Sequence, residues 1–113
     1  MSPLTTHVLD TRLGRPAAGV AVILEKLDLQ GDWEQLGSGV TKADGRSGVL
    51  LAKDAFTVGS YRITFFTGPY FQQQQVEHFY PSVTVEFEIT DPAQHYHVPL
   101  LLSPFGYSTY RGS

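Results

Sequence analysis

Val83-Thr84-Val85-Glu86-Phe87-Glu88-Ile89-Thr90 carries an apolar side chain at every odd position and a polar one at every even position. Successive side chains of an extended chain point to opposite faces, so this stretch reads as a strand with one buried face and one wet face. The rhythm continues outward from it. Tyr61 to Phe66 sets Tyr61, Ile63 and Phe65 against Arg62 and Thr64. Val20 to Leu29 begins with β-branched residues that suit a strand. Trp33 to Val40 is a shorter run, and Leu4 to Asp10 opens the sheet. Gly14-Arg15-Pro16, Gly31-Asp32 and Asp44-Gly45 supply turns between these runs. Gln72 to Gln75, after Gly68-Pro69, reads as a short helical turn, since glutamine is a fair helix former. Short, closely spaced strands with little helix predict an all-β, two-sheet β-sandwich with one short helix. The 113 residues contain no internal repeat and no linker, which predicts a single domain over 1–113.

Composition narrows the function classes. Hydrophobic residues make up 42% and charged residues 17%, a balance that supports a packed core. A net charge of −3 lacks the basic stripe that nucleic acid requires and opposes an anionic membrane surface. No apolar run approaches the roughly 20 residues of a membrane-spanning helix. There are no cysteines, which removes disulfides and thiolate metal sites. The opening MSPLTTHVLD has no basic region followed by an apolar run, and the closing Arg-Gly-Ser is not a Ser-Lys-Leu address, so cytoplasmic residence is the expectation.

His95 to Ser113, HYHVPLLLSPFGYSTYRGS, carries the strongest chemical signal. If His95 to Ser103 is extended, Tyr96, Val98, Leu100 and Leu102 face the core, and His95, His97, Pro99, Leu101 and Ser103 face the other way. That second face mixes titratable and apolar groups, which predicts a lined pocket or a subunit interface. Pro99 cannot donate to a sheet ladder and so suits an edge strand or a bulge. His7 stands on the Leu4 to Asp10 strand beside Leu9. Chain ends are usually polar and frayed, whereas this one carries Tyr107, Tyr110 and Arg111, types common in buried contacts, so the tail is expected to be ordered. His78 reads as a loop residue, His95 as a rim residue outside the catalytic set, and Glu86 and Glu88 as a solvated strand face.

Taken together, Thr6 to Asp10 (THVLD), Gly14 to Val20 (GRPAAGV), Thr41 to Arg46 (TKADGR), Phe79-Tyr80-Pro81, His97 to Pro104 (HVPLLLSP) and Tyr107 to Ser113 (YSTYRGS) resemble the transthyretin-like 5-hydroxyisourate hydrolases. The resemblance runs along essentially the whole chain. Its first half marks only turns and a hairpin, while His7, Arg46, His97 and the terminal Tyr-Arg-Gly-Ser are its specific part. It implies a transthyretin-like sandwich of about eight strands in two sheets. It also implies a homotetramer with sites in the channel between dimers, and no cofactor.

The implied reaction converts 5-hydroxyisourate, in urate and purine degradation, to 2-oxo-4-hydroxy-4-carboxy-5-ureidoimidazoline by attack of water on a ring acyl C–N bond. Such chemistry needs a base for water, positive charge at the developing oxyanion and an acid for the departing nitrogen. The resemblance assigns His7 and His97 to proton transfer, with the base left open between them. Arg46 would bind and polarise the substrate, Tyr110 would contact the ring, and Ser113 would orient water or substrate. Arg111 and Gly112 would fix the tail and complete the binding residues. Three rivals stand beside this reading. His95, His97 and His7 could hold a hydrolytic zinc, the fold could serve as a carrier of hydrophobic ligands, as transthyretin does, or the chain could be a non-catalytic sandwich module for attachment or adhesion, which would explain its first half but not its tail.

Overall fold

The computed structural model describes residues 3–112. Eight strands, β1 (Leu4–Asp10), β2 (Arg15–Pro16), β3 (Ala21–Leu27), β4 (Trp33–Val40), β5 (Gly59–Phe66), β6 (Val83–Ile89), β7 (Tyr96–Ser103) and β8 (Gly106–Thr109), form two four-stranded sheets. Their orders are β2-β1-β7-β8 and β4-β3-β5-β6. The core lies between them: Leu4, Val8, Leu100 and Leu102 from the first sheet meet Val22, Leu24, Tyr61, Ile63 and Phe65 from the second, all buried. This is the transthyretin-like two-sheet β-sandwich expected. In β6 the odd residues turn inward and Thr84, Glu86 and Glu88 stay exposed, as the alternation requires.

Among the described residues a single 3₁₀ turn covers Lys53–Ala55, and one α-helix, α1 (Thr67–Gln73), follows β5 directly. It begins five residues before the expected Gln72, and the glutamines form its end. The physical reason is burial. Thr67, Gly68, Tyr70 and Phe71 are buried, so tertiary packing sets the helix rather than glutamine propensity. Pro69 falls in the first turn, where its missing N–H leaves no intrahelical bond unmade. Tyr70 donates its hydroxyl to Asp10 Oδ2 at 2.6 Å. Asp10 is fully buried at the end of β1, where Oδ1 also accepts the Arg12 and Leu13 backbone N–H groups. Burial and this bond together push the Tyr70 phenol up from its ordinary pKa. β3 stops at Leu27, two residues short of the expected Leu29, because the Asp28 carboxylate accepts from the Gln30 and Asp32 N–H groups and closes a turn.

Two features of the C-terminal region correct the sequence reading. β7 is an interior strand, flanked by β1 and β8, and not an edge. β8 pairs with β7 from Ser103↔Gly106 to Leu100↔Thr109, and an isolated bridge, His97↔Gly112, continues in the same register. Pro99 lies in the gap between that ladder and the bridge. It has no N–H to offer β8, so the ladder stops there and resumes two residues on.

Candidate functional site

The pairing of β1 with β7 builds the site. The two strands run parallel, with Thr5 opposite His97 and His7 opposite Pro99. Leu4, Thr6, Val8 and Asp10 point into the core, as do Val98, Leu100 and Leu102. Alternation therefore places Thr5, His7 and His97 together on the outer face of the sheet, all partly buried.

A tight turn carries Arg46 to the same face. Gly45 donates its N–H to Lys42 O at 2.8 Å, Lys42 donates to Arg46 O at 2.9 Å, and the Asp44 carboxylate accepts the Arg46 N–H. Val8 N–H then reaches Gly45 O at 2.9 Å, and His7 and Arg46 form an antiparallel bridge. Gly45 has φ +82°, a conformation that favours glycine. A Cβ there would fall 2.5 Å from Val8 O and 2.8 Å from His7 Cδ2. The glycine thus lets the turn lie flat against the His7 ring.

His97 is held on two sides. Its Nδ1 lies 2.7 Å from Thr5 Oγ1. Its carbonyl accepts the Gly112 N–H at 2.8 Å, and a Cβ on Gly112 would fall 2.5 Å from His97 Cδ2. Burial holds the His97 pKa below the ordinary histidine value, and the Arg46 charge adds to the effect. His7 and His95 act in the same direction and the Thr5 backbone opposes it. A ring kept neutral near pH 7 is competent to accept a proton. Beside it a depression of about 230 Å³ is lined by Thr5, Thr6, Arg46, Gly48 and Val49.

The other expected residues are placed differently. Arg111 stacks its guanidinium 4.4 Å over the Tyr96 ring and donates to Gln94 Oε1 at 2.8 Å. Together with Tyr110 it borders an apolar cleft of about 260 Å³, lined also by Val85, Phe87 and Val98, between the open edges of the two sheets. That cleft lacks the histidines, so the chemistry is assigned to the outer face. Through Tyr96 and Gln94, Arg111 ties the tail to this side of the sheet. Alternation accounts for this, because neighbouring Gly112 faces His97. Ser113 lies outside the described residues. His78 donates from Nδ1 to Val76 O in a loop and stacks on Phe71, away from the site. The rival zinc triad is not assembled: among the described residues, no three of His, Cys, Asp or Glu are grouped as metal ligands.

The sequence marks Gly45 only as a turn residue and does not single out Thr5. Thr5 could have been found, since it stands two residues before His7 on the same strand face. Gly45 shows its role only once β1 is seen to pack on the turn.

Comparisons with known proteins bear on the family and the fold. A model of the HIUase/Transthyretin family matches residues 4–112. The 5-hydroxyisourate hydrolase of Salmonella typhimurium is 49% identical over 110 residues, spanning 97% of this chain and 80% of that protein. That of Mus musculus is 47% identical over 113 residues, spanning 99% and 96%. Among solved structures, transthyretin from Sparus aurata superposes with a TM-score of 0.93 at 35% identity, covering 99% of this chain and 97% of that one.

Proposed function

The chain belongs to the HIUase/Transthyretin family, and from that premise we propose that it hydrolyses 5-hydroxyisourate to 2-oxo-4-hydroxy-4-carboxy-5-ureidoimidazoline in urate degradation. The observation that carries the reading is the convergence of His7, Arg46 and His97 on one outer sheet face. Nearly full-length similarity to proteins named for that activity supports it.

In the reaction, a water oxygen bonds to the ring acyl carbon as a neutral imidazole takes its proton. Negative charge gathers on the carbonyl oxygen, where the Arg46 guanidinium stabilises it. The C–N bond then breaks and the second imidazole protonates the departing nitrogen. Tyr110, Gly112 and Ser113 complete the site in this reading, Gly112 through its contact with the His97 ring. The 113 residues act as one domain, cytoplasmic, in a homotetramer whose subunits enclose the exposed outer face. No helix among the described residues is long and apolar enough to cross a membrane. The zinc and carrier alternatives are not favoured, because relatives named as hydrolases match almost the entire chain.

The test is ultraviolet-monitored decay of freshly generated 5-hydroxyisourate with and without the protein. Accelerated decay that survives chelation supports the reading. Decay at the uncatalysed rate overturns it.

A further inference from the structure

Thr5 Oγ1 touches two imidazoles at once. It lies 2.7 Å from His97 Nδ1 and 3.2 Å from His95 Nε2. A hydroxyl has one proton to donate and can accept others. Among the described residues its side-chain partners are these two ring nitrogens. That one proton can go to only one ring, so whenever the hydroxyl donates to one ring within this chain, the other ring must donate into it. With Nδ1 of His97 engaged, Nε2 is the nitrogen left for water or substrate. His97 is partly buried, and it faces Arg46 and His7 as well as His95. His95 is exposed. The hydroxyl thus connects a sheltered imidazole, beside a fixed positive charge, to one in contact with solvent.

We propose that Thr5 and His95 form a proton relay that lets His97 take up a proton at Nε2 without keeping its positive charge. The steps balance. His97 Nε2 gains the proton of the attacking water, and His97 Nδ1 gives its own proton to Thr5 Oγ1. The Thr5 hydroxyl proton passes to His95 Nε2. His97 remains neutral with its proton moved from one nitrogen to the other, and His95 becomes the imidazolium. Solvent takes that proton, or the chain runs backward when the departing nitrogen is protonated. The charge comes to rest on the exposed ring, away from the Arg46 guanidinium, where water can solvate it. Thr5 and His95 are positioning residues, acting through His97. The inference rests on the assignment of His97 to proton transfer in the proposed reaction.

The full chain tests it with Thr5→Val, Thr5→Ser and His95→Gln. Valine keeps the β-branched shape of threonine and removes the hydroxyl, and glutamine can hold a hydrogen bond but cannot carry the proton. Thr5→Val is expected to lower kcat on the order of tenfold, below the ~10²–10⁴ of a directly positioned acid or base, with KM little changed. Thr5→Ser restores the rate. His95→Gln is slow in dilute buffer and recovers when imidazole is added, while the unmodified chain is insensitive to it. ¹⁵N spectra of the histidine rings, recorded without substrate, give a separate reading. Thr5→Val is expected to change the tautomer of His97. Two variants at the unmodified rate in every buffer, a loss that added imidazole does not restore, or an unchanged His97 tautomer overturns the relay. Failure of the unmodified chain to hydrolyse 5-hydroxyisourate removes the reaction instead, and the ring spectra still decide the relay.

Discussion

On the outer face of the β4-β3-β5-β6 sheet, Arg62 donates from Nε to Glu25 Oε1 at 2.7 Å and lies 4.2 Å over the Trp33 ring. Glu86 stands opposite it in register on β6. On the outer face of β1 and β7, Arg46 is set against two imidazoles, and the Arg62–Glu25 contact is the only ion pair among the described residues. Both faces follow from the same period-two alternation. One cation is answered by carboxylates on its own sheet, and its field ends there. The other is brought in by a turn and projects its charge onto His97. One sheet face balances its cation with carboxylates on neighbouring strands, whereas the other leaves the Arg46 charge without a carboxylate partner among the described residues.

The largest test of that contrast is substitution on each face. His7→Ala, His97→Ala and Arg46→Ala are each expected to lower kcat/KM by ~10²–10⁴ while the folded signal persists. Arg62→Ala should leave kcat/KM unchanged and cost a modest part of the stability, since the Arg62–Glu25 pair is only partly buried. Steady-state assay on fresh substrate separates them. A loss at Arg62 equal to that at Arg46 breaks the distinction between the faces.

A smaller effect sharpens it, through the two glycines packed on the histidine rings. Gly112→Ala would set a methyl 2.5 Å from His97 Cδ2 with no left-handed backbone penalty. Displacing a catalytic group by about 1 Å costs on the order of 10²-fold in rate, so kcat should fall by tenfold to a hundredfold with the melting temperature nearly kept. Gly45→Ala meets the Val8 carbonyl at 2.5 Å and needs φ +82°. It should therefore lose stability as well, about 1–3 kcal/mol, visible in denaturant unfolding. Equal stability losses in the two variants would mean that Gly112 serves the fold and not the ring.

These glycines also mark how far sequence reading reaches. β1, β5 and β6 are legible because alternation over seven or eight residues is a local signal. The short β8 is not, since Gly106 to Thr109 becomes a strand only by pairing with β7. The start of α1 is hidden because burial of Tyr70 and Phe71 outweighs local propensity. At the site, His7 and His97 stand out through the semi-apolar faces they share. Thr5 meets His97 across 92 residues of chain, in a parallel register that no local pattern encodes. The side that Arg111 faces follows from the His97↔Gly112 bridge, which no local pattern encodes.

The smallest expected effect concerns pH and asks whether the Arg46 charge reaches His97. Burial and that charge hold His97 below its ordinary value near 6.5. Between the lowered value and 6.5 the unfolded chain binds a proton that the folded chain refuses, so stability rises with pH across that window. The contribution is present in full above 6.5 and is lost as pH falls through the lowered value. Arg46→Gln removes the cation while keeping a polar side chain. The His97 titration, followed by NMR, should move upward toward the ordinary value, though burial keeps it from arriving. The pH-dependent part of the unfolding free energy should shrink with it. Arg62→Gln should move neither, since Arg62 spends its charge on Glu25 on the opposite face of the sandwich. A His97 titration indifferent to Arg46→Gln would mean that burial alone sets the ring's charge, and that the guanidinium acts on substrate and not on the base.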